Sequence, residues 1–70
     1  MNEIIFLIEE DPEGGLTAKA LGHSIFTDGE TIGELKANIM DALKCHFEKQ
    51  TDIPKVIRLH FVKEEVIYYT

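Results

Sequence analysis

Seventy residues carrying a net charge of −6, with 44% of them hydrophobic, make one small domain spanning residues 1–70. At that length folding buries only about 60% of the surface that the unfolded chain exposes, and such chains usually draw extra stability from a disulfide, a metal or an oligomer interface. The lone cysteine, Cys45, excludes an intrachain disulfide and fits a reducing, cytoplasmic setting. The acidic balance opposes unaided binding to phosphate backbones.

In chain order, Glu3 to Glu9 opens with an uninterrupted apolar run, Ile4-Ile5-Phe6-Leu7-Ile8, bracketed by carboxylates. A half-buried strand would alternate, so this one predicts a strand covered on both faces. Asp11, Pro12 and Gly14 hold the first, second and fourth places of a type I turn, and Gly15 is free to take positive φ, which predicts a hairpin. Leu16–Ala20 alternates, with Leu16, Ala18 and Ala20 inward and Thr17 and Lys19 outward. Leu21-Gly22-His23 forms a second turn and Ser24–Thr27 a short third strand.

Thr31–Glu48 reads as one amphipathic helix. Thr31 and Glu34 have the spacing of a capping box, and Asp28, Glu30 and Glu34 set negative charge at the positive end of the helix dipole. Ile32, Leu35, Ile39, Ala42, Leu43, His46 and Phe47 fall on one face, with Met40 at its edge and Glu34, Asp41, Lys44 and Glu48 opposite. Gln50–Pro54 is a loop, and Lys55–Val66 is a final strand rich in Val, Ile, Leu and Phe. Val66-Ile67-Tyr68-Tyr69-Thr70 is an apolar tail, either more strand or an interface arm. No run approaches the roughly 18 apolar residues of a membrane span, and no basic segment opens the chain as in a signal peptide.

The order is β-β-β-α-β, an α+β fold. Three antiparallel strands form a meander, and a right-handed crossover through the helix sets a fourth strand beside the first, parallel to it. One helix covers one face of that sheet. The other face predicts a second copy, as a homodimer or a dimer of dimers, with Ile5, Leu7, Val56, His60, Val62, Tyr68 and Tyr69 as the interface residues.

The arrangement resembles the N-terminal domain of the HicB family of antitoxin-like proteins. The resemblance rests on Ile8–Gly15, on the turn glycine Gly22, and above all on Thr27-Asp28-Gly29-Glu30-Thr31-Ile32-Gly33-Glu34-Leu35, which is similar to that family's T-x-G-[DE]-T-x-x-E pattern opening its helix. It covers roughly residues 4 to 64. It implies a degraded ribonuclease H-like sheet that oligomerises and, in antitoxins, binds and blocks a small toxin ribonuclease. The chain resembles a short, stand-alone member without the DNA-binding C-terminal domain, so operator binding is not expected.

The side chains that carry chemistry point the same way. Ribonuclease H-type catalysis needs carboxylates converging on metal, one of them central on the first strand. Here that centre is Ile5-Phe6-Leu7, with Glu3 and Glu9 at the ends, so no nuclease activity and no cofactor are expected. His23, Cys45, His46 and His60 lack zinc-ligand spacing, and the adjacent Cys45 and His46 diverge on the helix. Gly14-Gly15 has neither a following helix nor a P-loop lysine. Lys55, Arg58, His60 and Lys63 suit charge protection of an edge strand better than a nucleic-acid strip. The expected function is therefore a non-enzymatic, oligomerising protein-interaction module. The alternative is an orphan binder of a small ligand or a structural protein with no cognate toxin.

Overall fold

Five consecutive apolar residues, Ile4 to Ile8, cannot turn one whole face to water without exposing aliphatic side chains. The computed structural model, which describes residues 2–69, sets them in the middle of a four-stranded sheet. The elements are β1 (Glu3–Glu10), β2 (Leu16–Ala20), β3 (Phe26–Gly29), α1 (Ile32–His46), a single 3-10 turn at Gln50–Asp52 and β4 (Val56–Phe61). The sheet order is β3-β2-β1-β4, with β2 antiparallel to β1 and β4 parallel to it. The fold is α+β, with the fourth strand beside the first. No helix of the described residues is long and apolar enough to cross a membrane.

Local chemistry accounts for each connection. In the first hairpin the Gly14 amide donates to the Asp11 carbonyl at 2.9 Å, closing the turn, and the Asp11 side chain accepts from the Glu13 amide at 2.8 Å. Gly15 has φ +84°, a conformation that side-chain-bearing residues seldom adopt. The second turn closes through the Ala20 amide and the Ile25 carbonyl at 3.0 Å. At the helix start the Thr31 hydroxyl accepts from the Glu34 amide at 3.1 Å, as an N-cap should. The reciprocal half of the capping box is displaced by one residue, because the Glu34 carboxylate accepts from the Glu30 amide at 3.4 Å instead of the Thr31 amide.

The core lies between the sheet and the helix. Ile4, Phe6 and Ile8 from β1, Ala18 and Ala20 from β2, and Ile25 meet Leu35, Ile39 and Leu43 of α1, all of them buried. Burying each of the Ile, Leu and Phe side chains among them stabilises by about 1.5–3 kcal/mol. The first half of the helix packs against β3, tethered there by the Asn38 side-chain amide, which donates to the Asp28 carbonyl at 2.7 Å. Gly29 makes the approach possible. A Cβ at that position would stand 2.6 Å from the Leu35 amide nitrogen and 2.8 Å from its Cα.

Several boundaries differ from those the sequence predicts. The third strand begins at Phe26 rather than Ser24, because Ile25 turns into the core and its carbonyl closes the preceding turn. The helix ends at His46, with Phe47 as its C-cap, and Ile32 and His46, expected on the apolar face, are exposed. β4 stops at Phe61 instead of reaching Val66. Among the described residues its strand neighbour is β1, and their register ends at Ile8 beside Phe61, although β1 itself runs on to Glu10 against β2. The Val62 amide donates to the Ile8 carbonyl at 2.8 Å. Residues 62–69 are irregular and exposed, and Thr70 lies outside the described residues.

Three substitutions at the β3–α1 junction test this account. Thr31→Ala is expected to cost about 1 kcal/mol through loss of the cap. Gly33→Ala should leave stability unchanged or raise it by up to about 1 kcal/mol, since a Cβ there comes no nearer than 4.0 Å to Thr31 Oγ1. Gly29→Ala should be the costliest, at about 1–3 kcal/mol, because it drives a methyl into backbone that cannot move away easily. Urea midpoints give the ranking. A Gly29→Ala variant as stable as the wild type would show that helix and strand do not meet this closely.

Candidate interaction surface

The pleat that buries Ile4, Phe6 and Ile8 must send Ile5 and Leu7 to the opposite face, where no element among the described residues covers them. Strand register assembles the rest of that face. Val56 stands beside Glu3, Arg58 beside Ile5 and His60 beside Leu7 across the β1–β4 pair. Lys19 stands beside Leu7 on the other side, and Phe26 lies beyond Lys19 on β3. Ile5 and Leu7 are half-buried by their strand neighbours, while Phe26 at 66% and Val56 at 50% are largely exposed. Leu21 continues the pattern one residue past β2, its amide donating to the Ile5 carbonyl at 2.9 Å.

Of the residues expected at an interface, Ile5, Leu7, Val56 and His60 therefore share this open face, and Val62 continues it just past the end of β4. Tyr68 and Tyr69 do not join them, since they lie in the exposed tail. Leu21 and Phe26 belong to the face and were absent from that expectation. Their signal is the alternation of Ala20 and Ile25 inward with Leu21 and Phe26 outward.

Charges of both signs are interspersed with these apolar residues, Lys19 between Leu7 and Phe26 and Arg58 beside Ile5. The Arg58 Nε donates to Glu3 Oε1 at 2.7 Å, joining β4 to β1 across the sheet surface. That hydrogen bond, reinforced by the guanidinium charge, holds the Glu3 carboxyl below its ordinary value, and Arg58 is raised in turn. Lys19 on β2 and Asp28 on β3 mark the other side.

Elsewhere the candidate chemical groups fall into two places. His23 in the second turn and His46 at the end of α1 pack edge-on, their ring centroids 5.7 Å apart, with Phe47 completing the cluster at 5.6 Å and 4.9 Å. His60 is on the open sheet face, and Cys45 is exposed. Asp11, Asp28, Glu30 and Glu34 border a cleft of about 90 Å³ between the first hairpin and the start of the helix. Among the described residues, no three His, Cys, Asp or Glu side chains group closely enough to hold a metal ion.

The chain is 54% identical over 46 residues to a UPF0150 protein of Archaeoglobus fulgidus, a match covering 66% of this chain and 68% of that protein. It is 43% identical over 65 residues to a UPF0150 protein of Thermotoga maritima, covering 93% of this chain and 90% of that one. No family model matches the chain, and no solved structure matches it.

The ion pair supplies a pH test. A carboxyl held low in the folded state contributes stability above its ordinary pKa of 4.5, and that contribution disappears as pH falls through the depressed value. An NMR titration should therefore find the Glu3 midpoint below 4.5, and Arg58→Gln should return it toward that value. An unchanged midpoint in the variant would mean that the pair does not persist in solution.

Proposed function

The chain belongs to the UPF0150 family, and from that premise we propose that it is a non-enzymatic, cytoplasmic protein-interaction module that pairs with a second copy of itself through the open sheet face. One observation carries this reading: Ile5, Leu7, Leu21, Phe26 and Val56 share a sheet face that no element among the described residues covers, with Lys19 and Arg58 set among them. Exposed apolar surface gathered on one face marks interaction sites in soluble proteins. A two-fold interface uses the same patch on both partners and must therefore complement itself. With Lys19 in its interior, Asp28 on β3 and the Glu3–Arg58 pair across β1 and β4, this face carries both signs, as self-complementarity requires. The small core supports the reading too, since a chain of 70 residues gains much from burying a second apolar layer.

The resemblance to HicB antitoxins extends the proposal to a second protein, a small basic ribonuclease that the module would bind and block. The net charge of −6 favours a basic partner by complementarity and by faster encounter. Against a catalytic role of its own stands the apolar centre of β1, whose terminal acid Glu3 is already engaged by Arg58.

Light scattering at low micromolar concentration tests self-association. The wild type should show two or four times the 8.0 kDa chain mass. Phe26→Lys combined with Val56→Lys should shift it to the single-chain mass with an unchanged circular dichroism spectrum, because both residues are exposed and contribute little to the core. A wild type at 8.0 kDa, or a double variant that associates as before, overturns the reading.

A further inference from the structure

The helix side of the sheet has an uncovered strip of its own. Because the first half of α1 packs against β3, the far strand β4 is only partly roofed: Ile57 and Leu59 are half-buried, and Phe61 is exposed. The gap between α1 and β4 is a groove of about 220 Å³ with Ile39, Met40, Ile57 and Leu59 as its apolar floor and Lys36 on its rim. It continues past Met40 into a second hollow of about 250 Å³ bordered by Lys44 and Lys55. No acid lines either part. In a chain with 13 acids and 7 bases, three lysines around an acid-free apolar trough form a local reversal of charge.

The same chain carries a segment of complementary chemistry. Glu64-Glu65-Val66-Ile67-Tyr68-Tyr69 follows β4 as two acids and then four apolar or aromatic residues, with Ile67 at 90% and Tyr68 at 83% exposure. It extends away from the body. The radius of gyration is 14.0 Å, against about 11 Å expected for a compact chain of this length. To reach its own groove the tail would have to reverse sharply after Phe61, and Val62-Lys63-Glu64-Glu65 offers no Gly, Asn, Asp or Pro with which to do so.

We infer that residues 64–69 of one copy lie in the α1–β4 groove of a second copy, with Glu64 and Glu65 facing the lysine rim and Ile67 and Tyr68 on the apolar floor. This rests on the proposal that the chain self-associates, and it adds a contact separate from the open face. The exchange satisfies two exposed apolar surfaces at once, and the acid–lysine pairing fixes the direction in which the segment lies.

The test uses intact protein in a mixed-label experiment. Copies carrying a spin label on Cys45, in natural isotopes, are mixed with ¹⁵N-labelled Cys45→Ser copies, so that any broadening of amides 66–69 comes from another molecule. Broadening is expected, together with at least tenfold weaker association for Ile67→Ser combined with Tyr68→Ser. Lys36→Glu should also weaken association, and adding Glu65→Lys to it should restore part of the loss, which a merely structural effect would not do. If the protein associates but the tail variants leave its affinity unchanged and amides 66–69 stay sharp, the tail exchange is wrong while self-association stands. If light scattering gives only the single-chain mass, both fall. Tail amides protected from solvent in that single chain would mean that the tail docks on its own groove instead.

Discussion

The contact on which everything else depends is the meeting of two apolar stripes, Ile4, Phe6 and Ile8 on β1 and Leu35, Ile39 and Leu43 on α1. A strand presents alternate residues to one face and a helix presents every third or fourth, so the two stripes can meet along one line only. That line sets the helix over the sheet. The close passage at Gly29, where backbone meets backbone, then draws the N-terminal part of the helix toward β3. Phe6, fully buried on the central strand, sits in the middle of the arrangement.

A helix held near β3 has consequences on both sides of the sheet. On its own side it leaves β4 half-roofed, creating the groove floored by Ile57 and Leu59. On the far side the pleat sends Ile5 and Leu7 outward, with no helix or strand above them among the described residues. The fold thus solves one burial problem and leaves two, each along a strip that includes β4. In a domain of this size, surfaces of that kind are the natural places for partners, and an obligate assembly would make the fold's stability inseparable from protein concentration.

Much of this was legible in the residues. The uninterrupted run from Ile4 to Ile8 marks a central strand, Asp11-Pro12 with Gly14-Gly15 marks a hairpin, and Thr31 with Glu34 marks the helix start, because each depends on local conformational preference alone. What escaped depends on tertiary placement. Gly29 reads as a strand breaker, yet it is needed because of where the helix backbone passes. Where β4 lies depends on its register with β1, which sets Phe61 beside Ile8, some fifty residues earlier in the chain. Phe26 faces the open side because β3 pairs it with Lys19, a cross-strand register that sequence spacing alone does not reveal. The meeting of His23 with His46 joins a turn to a helix end that no spacing rule connects.

The central claim is that the face bearing Ile5 and Leu7 is covered in solution by a second copy. Methyl NMR with a soluble paramagnetic agent reads this directly. The account predicts that the methyls of Ile5, Leu7, Leu21 and Val56 are shielded from the agent in the wild type and relax rapidly in the Phe26→Lys, Val56→Lys variant, for the three residues it retains. Strong relaxation of all four sets in the wild type, at concentrations where light scattering reports the assembled mass, would contradict it.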